Sequence, residues 1–180
     1  MSRVLIITTS LRAQSNSDIL AGRLAAGAED AGHQVERISL KGRDIRFCIG
    51  CLACQQTQRC VLNDDAPAIA EKVMQADTLV FVTPIYYYEM SGQMKTLLDR
   101  LNPLYTTDYR FRMVYMLSVA AEEEAHVPVK AVSGLEGWVD CFERAELAGS
   151  LFCGGLGGPG EAAAQEKAQQ EAYAFGRALR

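Results

Sequence analysis

Histidine and tryptophan are nearly missing from this chain, with two of the first and one of the second among 180 residues. Imidazole-based proton transfer is therefore a poor reading. His33, which opens a strand, and His126, in a loop before Pro128, are expected to be ordinary surface residues. Blocks of like charge are also lacking. Eighteen basic and 22 acidic residues leave a net charge of −4, with the basic ones scattered, which argues against nucleic acid and anionic membranes as partners. No apolar stretch approaches membrane-spanning length, and the run from Met1 to Thr9 is too short, and too soon followed by polar residues, to be a signal peptide. A cytoplasmic protein is expected. Linkers, repeats and low-complexity segments are absent too, so residues 1–180 are expected to form one domain large enough to need no disulfide staples.

What is present alternates. Val4 to Thr8 is a short β-branched strand, followed by a polar loop and an amphipathic helix from about Asp18 to Asp30 that Gly32 closes. His33 to Leu40 reads as a second strand, with Lys41 to Asp44 as a turn. Asp64 and Asp65 suit the cap and first turn of a helix reaching Ala76, with Pro67 near its start. A buried strand from Thr78 to Thr83 follows, then a loop from Pro84, then a helix from Gly92 to Leu101 that stops near Pro103. Phe111 to Val119 is a fourth strand, Val129 to Arg144 a helix, and Ala145 to Cys153 a fifth strand. After a glycine-rich loop, a last helix runs from Gly160 to Leu179, and its stretch Ala162 to Ala172 reads as a solvated face. Five apolar strands separated by helices predict an α/β fold in three layers: a five-stranded parallel sheet with helices on both faces and ligands beyond the strands' carboxyl ends.

Two loops at that edge carry candidate binding chemistry. Ser10, Arg12, Ser15, Asn16 and Ser17 offer hydroxyl, amide and guanidinium donors just before a helix N-terminus, where backbone N–H groups and the helix dipole favour an anion. This loop contains neither the glycines of the dinucleotide fingerprint G-x-G-x-x-G nor the G-K-[ST] of a triphosphate loop, so a monophosphate fits better, while helix capping alone explains one or two of these residues. The loop Thr83 to Gly92 carries Pro84 and three consecutive tyrosines, a segment able to hold a flat ring.

Four of the six cysteines crowd into thirteen residues, Cys48, Cys51, Cys54 and Cys60, spaced C-x2-C-x2-C-x5-C, in a loop spanning about 47–61. Thiolates three residues apart can converge on one iron–sulfur cluster, and Gly50 supplies a residue free to take positive φ where the loop curls. A closed zinc site and a metal-free thiol loop are the rivals, although structural zinc usually pairs two C-x-x-C knuckles across a longer insert. Cys141 and Cys153 stand apart and are expected to pack in the interior.

Ser10-x-Arg12 with Ser15-Asn16-Ser17, the loop Pro84-Ile85-Tyr86, and the helix from Ser91-Gly92-Gln93-Met94-Lys95 to Asp99-Arg100 resemble the flavodoxin-like NADPH-dependent FMN reductase family over about residues 3–120. Cys48-Ile49-Gly50-Cys51-Leu52-Ala53-Cys54, then Cys60 and Asp64-Asp65, resembles its iron–sulfur flavoprotein branch, whose motif binds a [4Fe-4S] cluster beside FMN. The resemblance implies an FMN-dependent oxidoreductase without an obligatory acid–base residue. Its FMN phosphate would lie on Ser10, Arg12, Ser15, Asn16 and Ser17, its ring over Pro84, Ile85, Tyr86 and Tyr87, and a third contact would follow the fourth strand at Ser118. It also implies a cluster on the four cysteines, a redox partner protein or small-molecule acceptor, and a homodimer or homotetramer. A cluster-free NAD(P)H-dependent FMN or quinone reductase, with NAD(P)H as donor, is the alternative, and a zinc-stabilised module without flavin a further one. Thr9 and Leu11 stand where many relatives have Gly and Pro, and the acidic run Glu122-Glu123-Glu124 is hostile to an NADPH phosphate. Lys95 and Arg100 are expected to serve the helix surface or a subunit contact.

Overall fold

Strands buried from end to end must be covered on both sides, and three of this chain's strands are of that kind. Residues 1–180 are all described by the computed structural model. In it β1 (Arg3–Thr8), the first six residues of β3 (Thr78–Tyr86) and β5 (Met113–Val119) form the sheet's centre, flanked by the more exposed β2 (Gln34–Ser39) and β6 (Glu146–Cys153). The five run parallel in the order β2-β1-β3-β5-β6. Helices α1 (Asn16–Asp30) and α6 (Glu166–Arg177) cover one face over 18 buried apolar residues. Helices α3 (Ala66–Gln75), α4 (Gly92–Arg100) and α5 (Val129–Val139) cover the other over 24. The expected three-layer α/β architecture is thus observed.

Differences cluster at the ends of elements. The segment after Thr83 is no simple loop: β3 continues to Tyr86 and folds back onto β4 (Glu89–Met90), pairing Ile85 with Met90 and Tyr86 with Glu89. A five-residue helix α2 (Ala53–Thr57) forms within the cysteine loop. Helix α5 stops at Val139 rather than Arg144, because the chain turns to insert Phe142 edge-on against Tyr109 and Phe111, with centroids 5.1 and 5.2 Å away. Cys141 is consequently exposed in that turn instead of packed inside. Cys153 is buried as expected, and that burial, with the Glu171 charge behind it, pushes its thiol up to about 12. His126 is exposed and stacks on Tyr88, whereas His33 is half-buried.

The last helix breaks after a short 3-10 turn at Glu161–Ala163. Its alanine-rich part is solvated on one side, through Ala163, Ala164, Glu166, Lys167, Gln170 and Glu171, and packed on the other. Ala162, Ala168 and Ala172 are buried in the α1–α6 core, and Gly27 and Gly176 let the two backbones meet: a Cβ on Gly176 would collide with the Leu24 carbonyl, one on Gly27 with that of Tyr173.

The cysteine loop is tied to the body by a buried ion pair. Arg100 is 1 % exposed, which corrects its expected surface role. Its Nη1 donates to Asp64 Oδ2 at 2.6 Å and to the Arg46 carbonyl at 2.7 Å, and its Nη2 donates to Asp64 Oδ1 at 2.9 Å. Asp64 also accepts from the backbone N–H groups of Arg46 and Ala66. Burial alone would raise its carboxyl, but hydrogen bonds from Arg100, Arg46 and Ala66, with the Arg100 charge, overcome this and hold it at about 2 instead of 3.8. Lys95 does lie on the surface, paired with Asp99 at 2.7 Å.

Gly176→Ala should lower unfolding free energy by about 1–3 kcal/mol through overpacking. Gly137→Ala, on the exposed side of α5 with nothing near its added Cβ, should instead raise it by about 0.5–1 kcal/mol. Denaturant melts of both variants check the pair. Asp64→Asn, which leaves a buried guanidinium without its carboxylate, should cost about 3–5 kcal/mol at neutral pH. Because the folded carboxyl titrates below its unfolded value, its contribution is complete above about pH 4 and disappears as pH falls through about 2, a change of about 2 kcal/mol. Unfolding curves between these limits should show that part of the acid slope in the native chain and not in the variant.

Candidate functional site

Beyond the carboxyl ends of β1, β3 and β5 lies a cleft of about 190 Å³, where the two loops singled out from the sequence meet. Ser10, Arg12, Ser15, Asn16 and Ser17 line one side, and Pro84, Ile85 and Tyr86 the other. The helix opens here because Ser15 takes an extended conformation and its Oγ accepts the Asp18 N–H at 3.3 Å, so α1 begins two residues earlier than its apolar pattern suggests. Asn16 and Ser17 thus occupy the first turn, where backbone N–H groups lack helical partners.

The donors divide by role. Ser10 Oγ accepts only a long bond from the Arg12 N–H, at 3.4 Å, and Ser17 Oγ makes none, so both hydroxyl protons stay free for an anion. Asn16 is committed elsewhere: its Nδ2 donates to the carbonyls of Leu156 and Gly158 at 3.0 and 2.8 Å, and its Oδ1 accepts the Ala162 N–H at 3.0 Å. Arg12 likewise reaches across to the Gly157 carbonyl at 2.9 Å. These two hold the glycine-rich loop as a wall of the cleft.

That wall was missed. Leu156 and Gly157, with Val119, Ala120 and Ala121, complete the lining. The available signal was the glycine run itself: a Cβ on Gly154 would strike the Glu122 backbone, so the loops after β5 and β6 can approach only with glycine there. Two expected residues fall outside the lining. Tyr87 is 99 % exposed, because Tyr87 and Tyr88 form the β3–β4 turn at φ 53° and 66° and the Tyr87 side chain projects to solvent. Ser118 is fully buried in β5 with its Oγ on the Leu151 carbonyl at 3.5 Å, and the next three residues reach the cleft in its place.

The four cysteines line a second, separate cavity together with Arg100 and Asn102. The loop curls through left-handed turns at Gly50, Leu52 and Gln58, with φ of 65°, 59° and 55°. Cys54 is buried, Cys60 half-buried, and Cys48 and Cys51 exposed. Asn102 Nδ2 donates to Cys54 Sγ at 3.2 Å, and Arg100 Nη2 to Cys60 Sγ at 3.3 Å. Two of the four sulfurs thus each accept a side-chain N–H from the body of the protein. No three His, Cys, Asp or Glu side chains are gathered closely enough to ligate a single ion.

The model of the family described as NADPH-dependent FMN reductase matches residues 2–133. An iron–sulfur flavoprotein of Methanocaldococcus jannaschii is 32 % identical over 102 residues, covering 57 % of this chain and 53 % of that protein. One from Archaeoglobus fulgidus is 35 % identical over 97 residues, covering 54 % and 48 %. The chain spans about half the length of the curated relatives it matches. Among solved structures, the NAD(P)H:quinone oxidoreductase of Methanothermobacter marburgensis superposes with a TM-score of 0.72 over 99 % of both chains at 19 % identity, a likeness of fold. A match running from residue 2 to residue 133, over the strands and loops that build the cleft, makes this chain a member of the NADPH-dependent FMN reductase family.

Proposed function

We propose that the chain is an FMN-dependent oxidoreductase of the iron–sulfur flavoprotein type, one domain with FMN in the cleft and a [4Fe-4S] cluster on Cys48, Cys51, Cys54 and Cys60. The observation that carries this reading is the convergence of two sequence-distant loops, a free-hydroxyl anion cradle and a proline-stiffened ring support, in one cleft, with four cysteines lining a separate cavity.

Ser10 and Ser17 hydroxyls and the first N–H groups of α1 would hold the phosphate. Pro84, Ile85 and Tyr86 would present backbone to the ring, and Asn16 and Arg12 would act by fixing the opposite wall. At the second site the four thiolates would be the ligands, while Arg100 and Asn102 would lower the electron density at two sulfurs and so ease reduction. When bound, the flavin supplies both hydride and single-electron chemistry and the cluster supplies single electrons. The exposed Glu122, Glu123 and Glu124 follow the cleft wall and disfavour a dinucleotide phosphate, so an electron carrier fits better as donor or acceptor than NAD(P)H. Phe47 and Ile49, 78 % and 67 % exposed in the cysteine loop, support a homodimer or homotetramer that covers them. No helix is long and apolar enough to cross a membrane.

Anaerobic purification followed by quantification should give about one FMN, four iron and four sulfide per chain. Cys51→Ser should lose most of the iron and keep its FMN. Iron-free protein with FMN and rapid NADPH oxidation would favour the cluster-free reductase, and a colourless protein carrying one zinc the module without flavin.

Ser17→Ala should weaken FMN binding about tenfold, the worth of one hydrogen bond to a charged group. Tyr87→Ala should leave affinity within about twofold, because that side chain is turned to solvent. Titration of FMN fluorescence with the apoprotein measures both, and a large loss on removing Tyr87 would put the ring elsewhere.

A further inference from the structure

Three hydroxyls lie fully buried beneath the cleft, and the roles assigned so far use none of them. Thr9 ends the β1 side, Thr83 ends the buried part of β3, and Ser91 caps α4; each is 0 % exposed. Thr9 Oγ1 and Ser91 Oγ are 2.9 Å apart, and Thr83 Oγ1 is 3.2 Å from Ser91 Oγ. Ser91 Oγ accepts the Met94 N–H at 3.3 Å, and Thr83 Oγ1 accepts the Ser91 N–H at 3.1 Å. Thr9 Oγ1 donates to the Val82 carbonyl at 3.3 Å.

The Val82 carbonyl already accepts the Thr9 N–H at 3.0 Å, so the Thr9 hydroxyl proton can go there or to Ser91 Oγ, and between Thr9 and Ser91 either hydroxyl can donate. Thr83 donates to Ser91 or to the Pro84 carbonyl 3.1 Å away. A hydrogen-bonded chain therefore links the first turn of α4, Ser91, Thr9 and the β3 backbone, with Thr83 joined to it. Its members are the immediate neighbours of cleft residues on opposite sides, Thr9 before Ser10 and Thr83 before Pro84.

We propose that Thr9, Thr83 and Ser91 are positioning residues that set the distance between the anion-binding and ring-supporting walls of the cleft. Resting on the FMN reading above, this assigns to the chain's own hydroxyls the preorganisation of both walls before ligand arrives. In a low-dielectric interior each such bond is short-range and directional, so removing one hydroxyl frees the wall attached to it. The Thr83 proton also has two acceptors, which makes the Pro84 carbonyl available to a ligand without leaving that proton unpaired.

The test compares Thr9→Val, which keeps the shape and removes the hydroxyl, with Thr9→Ser, which keeps the hydroxyl. Ser91→Gly serves as a second variant, since glycine also starts helices and adds no bulk. Apoprotein of each is titrated against FMN, the visible circular dichroism of bound FMN is recorded, and far-ultraviolet melts identify temperatures at which every protein is folded. Thr9→Val and Ser91→Gly should raise the FMN dissociation constant about tenfold and alter the visible dichroism, while Thr9→Ser stays within about twofold of the parent with an unchanged spectrum. If the parent binds FMN and both hydroxyl-free variants match it in affinity and dichroism, the inference is wrong and the cofactor reading stands. Should the parent itself fail to bind FMN, the cofactor reading falls and takes this inference with it. Weakened binding in Thr9→Ser equal to that in Thr9→Val would likewise overturn it, by showing that volume rather than the hydroxyl matters.

Discussion

The placement of β1 between β2 and β3 is the constraint from which the rest of the molecule follows. Right-handed crossovers send α1, after β1, to one face and α4, after β3, to the other, so the chain departs in opposite directions from neighbouring strand ends. A crevice opens there because no helix can cover both departures. Register sharpens it: Thr8 pairs with Val82 and Thr83 with Ser118, bringing the loops after β1, β3 and β5 off the sheet at nearly one level. The cleft is thus a consequence of strand order, and side chains only decide what it accepts.

The second site has a different origin. No sheet geometry shapes the loop between β2 and α3; it is held by the Asp64–Arg100 pair and by Asn102. Buried ion pairs add little net stability, since desolvation offsets most of the attraction, yet breaking one is expensive. Such a pair is therefore better understood as specifying one loop position than as strengthening the fold. Its satisfaction is incomplete, because Arg100 Nε is buried without a partner. One guanidinium donor remains unpaired while the other two nitrogens reach Asp64, the Arg46 carbonyl and Cys60, which places the geometry at sulfur ahead of optimal solvation.

Strand identity was legible because central parallel strands are continuous apolar runs, and the lining of one side of the cleft because its polar residues crowd against a helix start. The failures share a physical cause. Arg100 reads as surface because charged residues on short helices usually are, and its carboxylate partner is 36 residues away in the chain. Ser118 and Tyr87 neighbour the cleft without lining it: Ser118 is buried within β5, and a tight turn with two tyrosines at positive φ throws Tyr87 outward. Asn16 lines the cleft, but its amide is consumed by the glycine-rich loop, a contact across 140 residues that no local pattern announces. Helix ends were misjudged where tertiary contacts, such as Phe142 among the aromatics, override a continuing helical pattern.

Helix α4 joins the two sites. Its cap, Ser91, belongs to the hydroxyl chain beneath the cleft, and its last residue, Arg100, holds Asp64 and Cys60 at the cysteine cavity. Nine helical residues span about 13 Å. Met94, Leu97 and Leu98 bury one side of that span in the larger core, so the helix cannot slide or tilt without disturbing close-packed neighbours. The separation of the two sites is therefore set by a packed helix rather than by the loops that line them. With the proposed flavin and cluster both bound, electron exchange between them would depend steeply on distance, and such a strut would keep the gap constant while either loop adjusted to its occupant.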